Sequence, residues 1–511
     1  MSKVLPEERI SEAEARFESS RRRVGRWLAP LLGLVVYAMP LPGLDPGAHR
    51  LLAILACVVV AWMTEALPLA VTAMIGVAAG VLCGVAPARE AFKGFGDPVL
   101  FIYLGGFLLA EAIVLHGLNR RLALRLLSVP GLSSTPARVL AAYGVVTAML
   151  SMWISNTATT AMMLPIGLAL LSQMGQDRAK PSTYAGALVL MTSFASSIGG
   201  MATPVGTPPN LIGLGQIERL LGVKVGFFEW MMFGVPLAAL LMAGLVWRLG
   251  RSAAAATPSS SDSSLTGQAN PALALSAALV PMTRGERNVV FAFAFTVLLW
   301  VLPGAALLIL GAESGSVKWL QLRLPESVAA LLGAGWLFLL PASDHRGPAM
   351  TLEWRHAARI DWGTLILFGG GLSLGEMMFS TGLARWVGES LAGLFQVRTE
   401  FGLIVLFTAT AIVVSETTSN AASATMIVPV AIAVSQAAGV PPLAPALAAC
   451  LGASLGFMLP VSTPPNAIVY GSGKVRIQHM AREGLLLDLA GFVVIVAAAA
   501  WWIPVVIKAK L

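Results

Sequence analysis

Ser155–Pro165 reads SNTATTAMMLP, and Ser419–Pro429 reads SNAASATMIVP. Each puts a polar Ser-Asn pair ten residues ahead of a proline, and each lies in strongly apolar sequence. The 137–174 stretch around the first is interrupted by Ser151, Ser155, Asn156, Thr157, Thr159 and Thr160. Its apolar arms, 137–150 and 161–174, hold about 14 residues each, short of the roughly 20 that span a bilayer. The 401–437 stretch has the same build, with arms 401–414 and 424–437 around Ser415, Glu416, Thr417, Thr418, Ser419 and Asn420. Non-helical backbone at membrane depth persists only where protein or a wet cavity satisfies it. Both stretches are therefore predicted to be re-entrant helical hairpins with Ser-Asn at the tip.

The rest of the chain supplies the membrane. Its 511 residues are 57% hydrophobic and 12% charged, against about 25% charged in soluble domains. This predicts an all-α polytopic membrane protein embedded in a lipid bilayer. Apolar runs fall near 27–44, 48–64, 67–86, 98–118, 184–218, 227–249, 288–311, 325–341, 361–382, 441–472 and 484–507, which gives about eleven transmembrane helices. The first 25 residues are polar and Arg21, Arg22 and Arg23 precede the first run, so no cleavable signal is expected and the N-terminus is predicted to be cytoplasmic. The formal charge of +8 reads as positive-inside bias, because no long basic tract exists to bind nucleic acid. Cys57, Cys83 and Cys450 lie in apolar segments without a CxxC or Cys/His cluster, which argues against zinc or a disulfide. His116 reads as a packing residue.

The two halves repeat. LGGFLLAEAIVLHGL (104–118) aligns without gaps to GGGLSLGEMMFSTGL (369–383), with Glu111 over Glu376 at an offset of 265 (376 minus 111). The Ser-Asn pairs are offset by 264 (419 minus 155), and PVGTPPNLI (204–212) matches PVSTPPNAI (460–468) at 256 (460 minus 204). Between the halves lies the polar stretch SSSDSSLTGQANP (259–271), read as a flexible cytoplasmic linker. With the first span set aside, each half makes about five crossings, an odd number that inverts the second repeat and puts the C-terminus outside. Inverted repeats of this kind predict a secondary transporter with its site near the midplane, one hairpin entering from each side.

The chemistry of these segments suits an ion and an anion together. Hydroxyls and the Asn carbonyl are hard oxygen ligands for an alkali cation, while Asn NH₂, hydroxyls and helix N-termini donate to an anion. Pro208-Pro209 and Pro464-Pro465 interrupt their helices and free carbonyls before them, at Gly206 and Ser462. Thr207, Thr463, Asn210 and Asn466 stand beside these breaks. Neither hairpin tip nor TPPN block contains lysine or arginine, so a bound anion would depend on amides, hydroxyls, helix ends and co-bound cations. Glu65, Glu111, Glu376 and Glu416 are acids in or near spans, open to functional or structural roles.

The paired hairpins, the paired TPPN breaks and TEALPLAVTA (64–73) resemble the divalent anion/sodium symporter family, which includes sodium-coupled di- and tricarboxylate carriers. The resemblance covers nearly the whole chain. It implies an elevator mechanism, a transport domain sliding against a scaffold domain in a homodimer, in a bacterial inner membrane. It further implies one Na⁺ site from Ser151, Ser155, Asn156 and the Gly206 carbonyl. A second would use Ser415, Asn420 and the carbonyls of Thr418 and Ser462. Substrate carboxylates would meet Asn156, Thr157, Thr207, Asn420 and Thr463. Ala421 departs from the family pattern, which often has threonine there, so one donor is lost and a little room gained.

The domain boundaries expected on this basis are a cytoplasmic segment 1–25, scaffold 26–136, transport 137–250, linker 251–286, scaffold 287–400 and transport 401–511. The function expected is Na⁺-coupled import of a dicarboxylate of the succinate, malate or fumarate class. A sodium-independent dicarboxylate exchanger is the alternative, with citrate or sulfate as variant cargo. From other classes, an ion channel would need a continuous pore. A membrane hydrolase would need a nucleophile paired with a base or metal, which the sequence does not offer; the protein is not expected to be an enzyme.

Overall fold

Helix starts follow the capping residues of the sequence. Asp45, Asp97, Thr135, Asp361, Thr399 and Ser419 each accept a backbone N–H in the first turn, and Pro46, Pro98 and Pro136 follow three of them. The computed structural model describes residues 12–129, 135–173, 183–255, 281–311, 313–342 and 350–507. The 259–271 stretch and the first eleven residues lie outside them.

Setting aside single helical turns, the first half contains α1 (Glu12–Ala38), α2 (Pro46–Thr64), α3 (Leu69–Leu82), α4 (Pro98–Leu115), α5 (Leu118–Leu127), α6 (Pro136–Ser151), α7 (Asn156–Gln173), α8 (Thr183–Met201), α9 (Pro208–Leu221) and α10 (Phe227–Ala255). The second contains α11 (Arg284–Leu310), α12 (Gly315–Arg323), α13 (Glu326–Leu339), α14 (Trp362–Ser380), α15 (Leu383–Phe395), α16 (Glu400–Thr417), α17 (Asn420–Ala437), α18 (Leu443–Gly452), α19 (Pro464–Gly471) and α20 (Ile477–Ala497), which continues through a π turn to Ile507. No strand forms among the described residues; a single bridge joins Pro341 and Met350.

The repeat holds in three dimensions: α4–α10 correspond in order to α14–α20. Gly117 and Gly382, with φ of +68° and +77°, turn α4 into the amphipathic α5 and α14 into the amphipathic α15. The halves also exchange partners, since α13 packs on α4 and α3 packs on α14. Two equivalent glycines permit this. A Cβ on Gly105 would fall 2.6 Å from Ala330 Cβ, and one on Gly370 would fall 2.6 Å from Ala73 Cβ. At the centre, α8 from Tyr184 onward and all of α18 are buried, while α11 presents most of its surface outward.

Several expectations change. The 184–218 and 441–472 runs are each two helices, broken at 202–207 and 453–463, as the double prolines require. Among the described residues, eight helices are long and apolar enough to cross a membrane, or nine if the bent pair α12–α13 counts as one. The reading of about eleven also counted shorter or broken apolar segments such as α3. The hairpin arms run 16, 18, 18 and 18 residues, longer than expected, because the polar Thr157, Thr159 and Thr160 are helical. α1 is helical from Glu12, so one helix joins the polar N-terminal segment to the first apolar run.

Candidate functional site

Capping explains each Ser-Asn pair. Ser155 and Ser419 stand one residue before the second arm of their hairpins, accepting from Ala158 N at 3.3 Å and Ala422 N at 3.2 Å. Asn156 and Asn420 open those arms and turn back on the first arm. Ser151 Oγ donates to Asn156 Oδ1 at 2.9 Å, and Ser415 Oγ to Asn420 Oδ1 at 2.8 Å. The outward amides differ: Asn156 Nδ2 reaches Thr207 Oγ1 at 3.5 Å, whereas Asn420 Nδ2 reaches the Ser454 carbonyl at 3.4 Å.

The TPPN asparagines brace the breaks. Asn210 Nδ2 donates to the carbonyls of Gly200 (3.0 Å) and Thr203 (2.7 Å). Asn466 Nδ2 donates to those of Gly456 (2.9 Å) and Leu459 (3.0 Å), the equivalent positions. Both asparagines are buried, so they replace the N–H groups that proline lacks. The carbonyls of Gly206, Thr418 and Ser462 accept no hydrogen bond among the described residues. The Gly206 backbone is hemmed by oxygens: a Cβ there would lie 2.5 Å from the Gly200 carbonyl and 3.0 Å from that of Ser151. A Cβ on Gly200 would lie 2.3 Å from Asn156 Oδ1. This all-oxygen, uncharged donor set suits a hard monovalent cation.

The second half adds a charge. Glu416 Oε1 accepts from Met458 N at 2.8 Å and Oε2 from Ser462 Oγ at 2.6 Å, tying the hairpin to the 453–463 break. The equivalent of Glu416 in the first half is Met152.

Both tips and both breaks line one cavity of about 710 Å³. Asn156, Thr157, Thr207, Asn420, Ala421 and Thr463 all face it, with Ser155, Gly206 and Ser462. Ser151, Ser415 and Thr418 do not; they are buried behind the tips. The residues expected to meet substrate therefore line open space, and much of the cation set sits one layer deeper. A volume of this size suits a small organic anion.

The opposite wall carries charge, and only Glu111 of it is among the candidate acids of the sequence. Arg359 and Asp361, from the turn before α14, and Glu111 of α4 also line the cavity. Arg359 is exposed and makes no ion pair among the described residues. Nothing in RIDWGT separates it from an ordinary interfacial arginine. The repeat-related acids part company here, because Glu376 is held by Arg219 through contacts of 2.9, 3.0 and 3.1 Å, while Glu111 faces the cavity. Glu65 is likewise structural, paired with Arg21 at 3.0 Å and Arg22 at 3.4 Å. His116 Nε2 lies 2.7 Å from the Thr351 carbonyl, a packing role as read.

A family model for the transmembrane region of sodium:sulfate symporters matches residues 21–508. The chain belongs to this family. Among its similar relatives is the sodium-dependent dicarboxylate transporter SdcS of Staphylococcus saprophyticus, 34% identical over 492 residues that cover 95% of this chain and 92% of the relative. SdcS of Staphylococcus aureus is 32% identical over 498 residues, covering 96% and 92%. The fold matches the YdaH transporter of Alcanivorax borkumensis with a TM-score of 0.59 at 16% identity, over 94% of this chain and 98% of that one. It also matches MtrF of Neisseria gonorrhoeae, with a TM-score of 0.53 at 13% identity over 94% and 97%. The sodium:sulfate symporter family is thus the one the paired motifs resemble, and the chain is an integral membrane protein.

Proposed function

We propose that this chain is a secondary transporter that couples Na⁺ to the import of a dicarboxylate of the succinate, malate or fumarate class. The observation that carries the reading is the convergence of both hairpin tips and both TPPN breaks on one cavity, with matched Ser-to-Asn hydrogen bonds behind each tip. The relatives named as sodium-dependent dicarboxylate transporters support the cargo. One Na⁺ would be held by Ser151, Ser155, Asn156 and the Gly206 carbonyl. The other would be held by Ser415, Asn420 and the carbonyls of Thr418 and Ser462. Substrate carboxylates would take donors from Asn156, Thr157, Thr207, Asn420 and Thr463, with Ala421 leaving a donor-free patch. With no basic residue at the tips, the dianion is compensated by the two cations, and this makes binding of ion and substrate interdependent.

The motion that fits is an elevator. The hairpins with α8–α10 and α18–α20 form the transport part, and α1–α5 with α11–α15 form the scaffold, which joins a second copy in a homodimer. The N-terminus is cytoplasmic and the C-terminus outside. Arg219–Glu376 and the Tyr103 hydroxyl bond to the Pro208 carbonyl cross between the two parts, so a stroke exchanges them. Uptake of labelled succinate into proteoliposomes tests the function. Uptake that requires an inward Na⁺ gradient supports it. Equal uptake without Na⁺ that depends on internal dicarboxylate overturns it in favour of exchange, and stronger competition by sulfate or citrate changes the cargo.

A further inference from the structure

Two ion pairs tie the first half's transport segments to the second half's scaffold. Arg219, near the end of α9, meets Glu376 of α14 at 2.9 Å. Lys224, just beyond α9, meets Glu326 at the start of α13 at 2.6 Å. None of these four residues lines the cavity.

The repeat places two scaffold counterparts at the other end. Glu111 corresponds to Glu376. Leu67-Pro68 corresponds to Leu324-Pro325 at an offset of 257 (325 minus 68), which sets Leu69 against Glu326. Two observations fix this register. Ala73 seats against Gly370 and Ala330, at the same offset, against Gly105. Trp62 Nε1 donates to the Leu69 carbonyl at 3.1 Å, and Trp300 Nε1 to the Glu326 carbonyl at 3.0 Å. Glu111 and Leu69 both line the cavity. The two scaffold seats that are filled at the Glu376 end therefore face open space at the Glu111 end.

The transport segments repeat less exactly. Asn210 and Asn466 are offset by 256 (466 minus 210), but Gly234 and Gly484 by 250 (484 minus 234). Those glycines are equivalent: a Cβ would fall 2.9 Å from the Ala202 carbonyl on Gly234 and 2.4 Å from the Phe457 carbonyl on Gly484, each on its own break. The shortening falls at a helix end, since α9 has 14 residues and α19 has 8. Arg219 stands in the part of α9 that α19 lacks. Lys224 keeps its counterpart, Lys474, at the offset of 250 (474 minus 224), and a buried valine follows each, Val225 and Val475. The second set thus retains the acid of one pair, Glu111, and the cation of the other, Lys474. Neither makes an ion pair among the described residues.

On the elevator reading above, on which this inference rests, inverted repeats exchange conformations between the two states, so a contact made by one half here is made by its counterpart there. We propose that Glu111 takes Lys474 as its counter-ion in the state whose cavity opens at the Glu376 end. A single cross-matched pair then closes the end that two ion pairs close at the opposite face in this structure. Glu111 and Lys474 are positioning residues for the stroke. Arg359 is no substitute for Lys474, because it belongs to the scaffold with Glu111 and does not move past it.

The test uses the full chain in proteoliposomes. Glu111→Lys sets two lysines together in the proposed state, and Lys474→Glu sets two glutamates together. Each is expected to lower the maximal rate of Na⁺-driven succinate uptake about tenfold or more, with KM little changed. The melting temperature should stay that of the unaltered protein, since neither side chain is ion-paired in this state. The swap Glu111→Lys/Lys474→Glu should restore most of the rate, whereas Glu111→Lys/Arg476→Glu should not. A second measurement assumes no cargo. Glu111→Cys and Lys474→Cys, on a background with Cys57, Cys83 and Cys450 replaced by alanine, should be joined in membranes by a short bifunctional thiol reagent. No recovery in the swap, equal recovery with Arg476→Glu, or no cross-link overturns the pairing. The cross-link in a protein that takes up no succinate with Na⁺ upholds the pairing and marks instead the failure of the symporter reading.

Discussion

At the scale of single residues, the site separates side chains that touch open space from those that shape them. Asn156 and Asn420 do both: each Oδ1 is fixed by a serine behind it and each residue lines the cavity. Asn156→Ala and Asn420→Ala are each expected to abolish Na⁺-dependent uptake while the purified protein keeps its oligomer and helix content. Normal uptake in both would reassign the site. Gly200→Ala puts a methyl 2.3 Å from Asn156 Oδ1, whereas Gly456→Ala puts one 3.2 Å from Asn420 Oδ1. Overpacking costs about 1–3 kcal/mol, so Gly200→Ala should raise the Na⁺ concentration for half-maximal uptake well above the value for Gly456→Ala. Arg359 on the cavity wall, which makes no ion pair among the described residues, is expected to draw the dianion in. Arg359→Gln should raise KM severalfold with kcat little changed, an effect that fades at high salt; an equal fall in kcat would mean a different role.

At the scale of elements, the broken helices depend on two buried braces. Replacing Asn210 or Asn466 by Leu takes the side-chain donor from the Gly200 or Gly456 carbonyl and one of two donors from Thr203 or Leu459, at about 1–3 kcal/mol per group left unsatisfied. Both variants should therefore melt at clearly lower temperature in a thermal unfolding assay, and no added Na⁺ should restore them fully. The hairpins and breaks were legible in the sequence because polar residues and double prolines are conspicuous in apolar runs, and they recur at near-constant offset. Arm lengths were misjudged because hydroxyls were counted as tip. Thr160 instead pairs with Ser196 at 2.7 Å, and helical Thr147 and Thr408 bond the carbonyl four residues back. Arg359 was not legible: it sits among Arg355 and Asp361 in an ordinary charged turn, and its significance comes from elements far along the chain that share its cavity.

At the scale of the molecule, charged pairs fasten the halves where the repeat alone would not. Arg121 of α5 grips Glu286 at 2.5 and 3.1 Å, and Glu286 also closes a capping box with Thr283 at the start of α11. Both side chains are buried, so breaking the pair costs about 3–5 kcal/mol. Glu286→Ala should lower the unfolding midpoint by several degrees, and Arg121→Ala/Glu286→Leu should recover part of that loss. The exchange of partners between halves has a consequence for biogenesis. When the ribosome completes α4, its partner α13 lies some 200 residues ahead, roughly ten seconds or more at ordinary rates of synthesis. Until then the small-residue faces of α3 and α4 have only lipid or an insertion chaperone to cover them. Residues 1–255 or 281–511 expressed alone should be degraded, whereas the two fragments made together in one cell should meet in the membrane and restore uptake.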